Sequence, residues 1–116
     1  MYRLRNETRG TLLGDSIDIA DTSAKRKTGL LKHTGLSAGH GLWIVPCEGV
    51  HTFFMKFPID LLYVDKNNVV RKVVPNVRPW RVSLCLPAHS IVELPAGLLE
   101  TTGTVRGDQL AFDRLG

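Results

Sequence analysis

The chain has no hydrophobic run long enough for a membrane helix, and it contains little cysteine. No stretch approaches the ~20 apolar residues that a membrane-spanning helix needs, and the opening residues, MYRLRNETRGTLLGDS, carry charges instead of the apolar core of a signal peptide. Its two cysteines, Cys47 and Cys85, do not indicate a disulfide scaffold, although the sequence does not decide whether they pair. We therefore predict a cytoplasmic protein without a membrane segment.

Motifs of common metal and nucleotide sites are also missing. The sequence has no CxxC, HxH or HExxH arrangement of metal ligands, no Walker loop and no GxGxxG. Cys47 and His51 lie four residues apart, but no second ligand pair accompanies them. We predict no metal site and no cofactor, and no nucleic-acid-binding motif is present.

What the sequence does contain is a succession of short strand-like stretches separated by turn residues. Its 116 residues suit one domain, and nothing repeats, so we predict a single domain over residues 1–116. Residues 59–64 and 69–74 flank a polar four-residue connection and predict a hairpin. A second hairpin is predicted about Gly14 and Asp15, and a strand over residues 50–55.

One segment breaks the period-two pattern. In DTSAKRKTGLLK, Thr22 or its neighbours can cap a short helix near residues 22–31, which Gly29 ends before Leu30 enters the core. Together these patterns predict a mainly β fold, either a jelly-roll-like sandwich or a partly closed barrel, with six or more short strands and one short helix.

Three charged residues stand in apolar surroundings. Lys56 and Asp60 interrupt the stretch VHTFFMKFPIDLLYVD, and Glu93 lies between apolar neighbours in SIVELPAG. A buried acid needs a partner or carries a raised pKa. These charges either converge on one pocket, or the Lys56 ammonium lies in water and Asp60 accepts backbone N–H groups at a bend near Pro58.

The formal charge of +4 is unevenly distributed. Residues 66–81, KNNVVRKVVPNVRPWR, contain no acid, and their basic residues are Lys66, Arg71, Lys72, Arg78 and Arg81. Such a stripe predicts either docking on an acidic partner or the solvated outer face of strands. Trp80 is the single aromatic of this stripe that a base-stacking surface would use.

Five stretches, in order, resemble the bacterial and archaeal domain-of-unknown-function family 192, also called uncharacterised protein family 0127. They are ADTSAKRKTGLLKHTGL, GLWIVP, HTFFMKFPIDLLYVD, VELPAG and GTVRGDQL. The resemblance implies a compact, mainly β domain of jelly-roll-like type with a short helix, and no established activity. Its strongest positions fall on Arg26, Gly29, Leu30, Met55, Lys56, Asp60, Glu93, Gly97, Gly107 and Asp108. Phe54 and Phe57 depart from the commoner tryptophan and threonine, and we expect no export signal of the kind that many relatives carry.

Three functions are compatible with these residues. The first is a small soluble binding or accessory domain whose mixed pocket binds a small molecule or protein; its predicted lining residues are His51, Met55, Trp80, Lys56, Asp60 and Glu93. The second is a hydrolase or lyase in which Asp60 and Glu93 act as acid and base and Lys56 stabilises negative charge. The third is electrostatic docking on an acidic partner through residues 66–81. Neither the ligand nor the oligomeric state follows from the sequence.

Overall fold

The computed structural model describes residues 1–116, which form nine strands and two short helices. The helices are α1, Ser23–Thr28, and α2, Leu98–Thr102. The strands are β1 Tyr2–Asn6, β2 Thr11–Ala20, β3 His40–Ile44, β4 Gly49–His51, β5 Ile59–Val64, β6 Val70–Val77, β7 Val82–Leu84, β8 Ser90–Pro95 and β9 Leu110–Arg114.

Seven of the strands form one sheet in the order β6-β5-β8-β3-β2-β1-β9, which curls into a half-barrel. Every neighbouring pair in it is antiparallel except β2 and β3, which run parallel because α1 and its following loop carry the chain back between them. The other two strands, β4 and β7, pair only with each other, and we call them the ribbon. The predicted mainly β fold is confirmed, in its partly closed form.

The middle of the sheet is buried on both faces. All six residues of β5 are buried, and two apolar clusters cover its opposite sides. Leu61 and Tyr63 belong to one cluster, whereas Leu62 and Val64 belong to the other, because successive side chains of a strand point to opposite faces. A polar residue in the middle of this sheet therefore faces one of two separate interiors.

The predicted helix is present and capped as the sequence indicates. The Thr22 hydroxyl accepts a hydrogen bond from the Lys25 backbone N–H at 3.2 Å, and Gly29 follows the last turn with a φ of 46°. Because α1 buries none of its own side chains, Leu30 just beyond it provides the buried apolar contact. The two helices have six and five residues, and neither is long or apolar enough to cross a membrane.

The hairpin predicted about Gly14 is wrong. Residues 11–20 form one strand, β2, and the turn lies earlier, between Asn6 and Thr11. Gly14 is a glycine for a different reason, since a Cβ there would lie 2.8 Å from the Gly39 carbonyl oxygen. The missing side chain permits a close approach between β2 and the turn that precedes β3, and it does not mark a turn at Gly14 itself.

The strand predicted over residues 50–55 is shorter than expected. β4 ends at His51, because the next residue, Thr52, hydrogen-bonds to the segment before β7 instead of continuing the strand. By contrast, the hairpin over residues 59–74 is confirmed as β5 and β6, with β6 continuing to Val77.

Candidate functional site

A pocket of about 470 Å³ opens where α1, the end of β3, the ribbon and β8 meet. Three of the residues predicted from sequence to bind a ligand line it: His51, Met55 and Glu93. Its other walls come from α1 and the turn after it, from Ile44 to Cys47, and from the start of the ribbon; these lining residues include Ser23, Arg26, Lys27, Gly29, Leu30, Leu31, Ile44, Cys47 and Val50. The pocket thus combines an apolar wall with a few polar groups.

Glu93 is the buried acid of this pocket. The residue is 4% exposed, and none of the hydrogen bonds or ion pairs of the structure involves its carboxylate. Burial raises the pKa of Glu93 from 4.5 to about 7. Gly29 has no side chain to cover the carboxylate, and a Cβ at that position would stand 4.0 Å from the Oε1 atom.

Arg26 and Cys47 line the same pocket, although the sequence did not mark either as a ligand-binding residue. The Arg26 guanidinium donates to the Val45 carbonyl at 3.2 Å and to the Ser23 hydroxyl at 3.4 Å, and it forms no ion pair with Glu93. The Cys47 thiol donates to the Gly49 carbonyl at 3.0 Å, and burial raises its pKa. The sequence signal that pointed to Arg26 was its place among the strongest positions of the resembled family.

Asp60 lies on the opposite face of the sheet from Glu93. Leu61, not Asp60, is opposite Glu93 in the pairing of β5 with β8. The Asp60 carboxylate is fully buried and accepts three backbone N–H groups: Asn76 at 2.8 Å, Gly97 at 3.2 Å and Leu99 at 2.9 Å. The predicted convergence of Asp60 with Glu93 is therefore wrong. Asp60 does accept backbone N–H groups as expected, but they come from the end of β6 and the start of α2 and not from a bend near Pro58.

Lys56 and Trp80 also lie outside this pocket. Lys56 is exposed and forms no ion pair, so its ammonium lies in water. Trp80 is 56% exposed and packs against Phe53 and Phe54. The structure thus divides the predicted site residues among the pocket, the far side of the sheet and the surface.

The last family positions, Gly97, Gly107 and Asp108, hold turns. Gly97 precedes α2 with a φ of 93°, and Gly107 has a φ of 95°. Asp108 is 3% exposed and accepts hydrogen bonds from Asn6 at 2.9 Å and from Arg9 at 2.9 Å. Asp108 thus ties β1 to the turn before β9, and none of these three residues lines the pocket.

The basic stripe over residues 66–81 is only partly available for a partner. Arg71 pairs with Asp65 at 3.7 Å, and the Lys72 ammonium donates to the Leu84 carbonyl at 2.8 Å. Lys66 just before β6, Arg78 just after it and Arg81 are exposed, and none of them forms an ion pair. We therefore restrict the docking prediction to Arg78 and Arg81, at the end of the stripe near Trp80.

A catalytic-looking pattern at residues 35–39 has no matching structure. GLSAG fits the GxSxG pattern of a serine nucleophile, which requires a sharp turn from a strand into a helix. Ser37 instead lies in the loop before β3, and its hydroxyl has no hydrogen bond to either nearby histidine, His33 or His40. No three His, Cys, Asp or Glu side chains gather as metal ligands, and Cys47 and Cys85 are free thiols.

Fold and pocket together define a class: a small, mainly β domain with one unpaired buried carboxylate in an open pocket. The model of domain-of-unknown-function family 192, described as "Uncharacterized ACR", matches residues 4–112. The chain belongs to this family, as its sequence motifs predicted.

Its relatives are similar over most of its length. A UPF0127 protein of Thermococcus gammatolerans is 32% identical over 117 residues, which cover 93% of this chain and 73% of that protein. One from Pyrococcus abyssi is 30% identical, covering 92% of this chain and 94% of the relative. A crystal structure of a protein of unknown function from Novosphingobium aromaticivorans superimposes with a TM-score of 0.84 at 21% identity, covering 96% of this chain and 84% of that chain. That structure supports the fold alone.

Proposed function

We propose that this chain is a non-catalytic binding domain for a small zwitterion. The ligand would place a cationic hydrogen-bond donor, such as an ammonium group, against Glu93, a carboxylate against Arg26 and an aliphatic group against the apolar wall of the pocket. The observation that carries the proposal is the Glu93 carboxylate, which is buried against an open pocket and accepts no hydrogen bond from the protein.

Glu93 lowers the stability of the empty domain. A pKa raised from 4.5 to about 7 corresponds to about 3 kcal/mol of unfavourable free energy once the carboxylate is ionised. Groups perturbed in this way concentrate at functional sites. A bound ammonium group would supply the missing donors and offset the desolvation of the carboxylate.

Arg26 supplies the second polar contact. A guanidinium has five N–H donors, and Arg26 uses them on one backbone carbonyl and on a long contact to Ser23. Lys27 lines the pocket too, so a ligand bearing only positive charge would be repelled. A carboxylate on the ligand matches this end, because Arg binds carboxylates through two parallel hydrogen bonds.

The apolar wall and the size of the pocket limit the ligand. Leu31, Ile44, Val50 and Met55 provide the apolar surface. A volume of about 470 Å³ lies within the range of small-molecule sites, roughly 300–1,000 Å³. An amino acid with an aliphatic side chain combines all three features in one molecule.

Binding is favoured over catalysis because Glu93 is the one acidic side chain that lines the pocket. Asp60 and Lys56, the partners that an acid–base mechanism would need, lie elsewhere. Burial raises the pKa of the Cys47 thiol, which keeps it protonated, whereas a nucleophilic cysteine needs the thiolate.

The test uses matched probes: L-leucine, its amine analogue isoamylamine and its acid analogue 4-methylpentanoate. Calorimetric titration should show the zwitterion binding more tightly than either analogue, with affinity rising roughly tenfold from pH 6 to pH 8 as Glu93 ionises. Glu93→Gln and Arg26→Gln should each weaken binding at least tenfold.

The control is Glu100→Gln, which changes an exposed acid on α2 and should leave binding unchanged. A ligand whose affinity falls as the pH rises would indicate that Glu93 binds as a protonated donor, which contradicts the zwitterion. A broad screen of amines, amino acids and carboxylates without any Glu93-dependent binding would refute the binding function itself.

A further inference from the structure

The ribbon presents an apolar face to solvent. In β7 the Ser83 side chain points inward, since its hydroxyl accepts a hydrogen bond from the buried Tyr63 hydroxyl at 2.6 Å. Val82 and Leu84 therefore point outward, and they are 63% and 59% exposed. His51 of β4 lies directly opposite Val82, so this outer face continues across both strands.

Next to that face lies a row of aromatic rings, which we call the aromatic ledge: His51, Phe53, Trp80 and Phe54. Neighbouring ring centroids are 4.9 Å, 5.6 Å and 4.7 Å apart along the row. Since His51 belongs to both features, the outer face of the ribbon and the aromatic ledge form one continuous surface.

A strained backbone keeps the two most exposed rings of the ledge, Phe54 and Trp80, in solvent. Phe54 and Trp80 have φ values of 66° and 67°, in the left-handed region that bulky side chains rarely adopt, and they are 69% and 56% exposed. Such conformations persist only where surrounding contacts impose them, often at functional positions.

Thr52 supplies those contacts. Its carbonyl accepts the backbone N–H groups of Met55 at 3.2 Å and Trp80 at 3.0 Å, while its hydroxyl accepts the Arg81 N–H at 2.9 Å and donates to the Arg78 carbonyl at 2.6 Å. This single buried threonine joins both turns and fixes the two exposed rings side by side.

The same surface carries uncompensated positive charge. Lys56, Arg78 and Arg81 are exposed, and none of the four ion pairs in the structure includes them. The stretch from residue 66 to residue 81, which ends on the ledge, contains no acid. A partner for this surface must therefore present both an apolar region and negative charge.

We propose that the outer face of the ribbon and the aromatic ledge dock on the surface of an anionic lipid bilayer. Phe54, Trp80, Val82 and Leu84 would enter the interfacial layer, where amphipathic rings and aliphatic side chains are favoured. Lys56, Arg78 and Arg81 would contact the anionic headgroups, each contributing to the attraction. This inference does not rest on the pocket or its ligand.

Three other occupants fit less well. A second copy of this chain would bring the cations of two ledges together, and like charges across an interface are repulsive. A single-stranded nucleic acid could stack on the rings but not on Val82 and Leu84. An extended peptide added to the edge of β6 would meet Pro75, which has no N–H to donate.

The test is co-sedimentation of the intact chain with vesicles of phosphatidylcholine alone and with 30% phosphatidylglycerol. We expect binding to the anionic vesicles at least tenfold stronger than to the neutral ones, weakening steeply as salt is added. The double variant Phe54→Asn with Trp80→Asn should lose at least tenfold in partitioning. Asparagine tolerates a positive φ, so that variant should fold at least as stably as the parent chain.

The charge test is Arg78→Glu with Arg81→Glu, expected to abolish binding. Its matched control is Arg3→Glu with Arg114→Glu, on exposed residues of β1 and β9 at the other edge of the sheet, expected to leave binding unchanged. Equal loss in the control, no binding to anionic vesicles, preference for an oligothymidine over vesicles, or ledge-dependent dimerisation without vesicle binding would each overturn the proposal.

Discussion

Asp60 and Glu93 are two acids on adjacent strands of one sheet, and their surroundings differ completely. Asp60 is fully buried and accepts three backbone N–H groups, two of them at the start of α2. Glu93, 4% exposed, accepts none and faces a pocket. Register explains the separation, because Asp60 pairs with Leu94 while Leu61 pairs with Glu93, so the two carboxylates emerge on opposite faces.

The difference shows that burial alone does not identify a functional acid. A buried carboxylate with its hydrogen bonds made stabilises the fold, whereas one without partners lowers the stability and leaves its binding capacity unused. Asp60 therefore acts as a structural anchor for α2, and Glu93 is the candidate ligand contact. Four predictions test this distinction.

Asp60→Ala should lower the free energy of unfolding by about 4 kcal/mol, because it removes a buried, charged acceptor of three backbone N–H groups. Urea denaturation at pH 7 measures the change. The control is Asp65→Ala, which also removes an acceptor of two N–H groups, those of Asn67 and Val69. Water reaches that turn, so the control should cost about 1 kcal/mol, and equal losses would contradict the assignment.

Glu93→Gln should raise the free energy of unfolding by up to about 3 kcal/mol at pH 8, the free-energy equivalent of the pKa shift. The folded pKa of about 7 lies above the ordinary value of 4.5. The contribution of Glu93 to stability is therefore most favourable below about pH 4.5 and is lost as the pH rises through about 7. The gain should vanish near pH 4 in urea titrations, and a pH-independent gain would show that folding does not shift the pKa of Glu93.

Asp108→Asn should cost about 2 kcal/mol at pH 7, the value of hydrogen bonds to a charged acceptor. Burial opposes ionisation of Asp108, but hydrogen bonds from Arg9, Asn6 and the Val105 N–H outweigh it and hold its pKa below the ordinary range. The stabilisation is present above pH 3.8 and is lost as the pH falls through the folded pKa. Thermal unfolding of both proteins between pH 2 and pH 7 should converge at the acid end, and parallel curves would contradict this account.

Gly29→Ala should have the smallest effect, about 1 kcal/mol, because its φ of 46° disfavours a side chain although no atom blocks the Cβ. The new methyl would stand 4.0 Å from the Glu93 carboxylate, so we expect weaker ligand binding as well. Gly35→Ala, with open space and no positive φ, is the control in both assays. A neutral result at Gly29 would show that the turn after α1 adapts.

Local patterns predicted much of the fold. The β5–β6 hairpin has alternating apolar residues around a polar turn, and α1 has its cap at Thr22 and its glycine at position 29. The burial of Glu93 also follows from its apolar neighbours. These features depend on residues close together in the chain, so the sequence contains what is needed to predict them.

The site itself was only partly predictable. Glu93 and Met55 were expected in the pocket and line it, whereas Lys56 and Asp60 were expected there and do not. Arg26 and Cys47 were not predicted to bind a ligand, because they join the pocket through contacts between distant segments. Thr52, whose hydrogen bonds shape the aromatic ledge, gave no signal in the sequence.

From its sequence alone this chain specifies a small β-rich domain with one capped helix, a buried glutamate and a cationic stretch without acids. Tertiary structure decided which acid is satisfied and which faces a pocket, and which aromatic rings stay in solvent. The physical reason is that strand register and the turns of the chain determine to which face of the sheet a side chain points. A shift of one residue in the pairing of β5 with β8 would place Asp60 opposite Glu93 on the same face without changing a letter of the sequence.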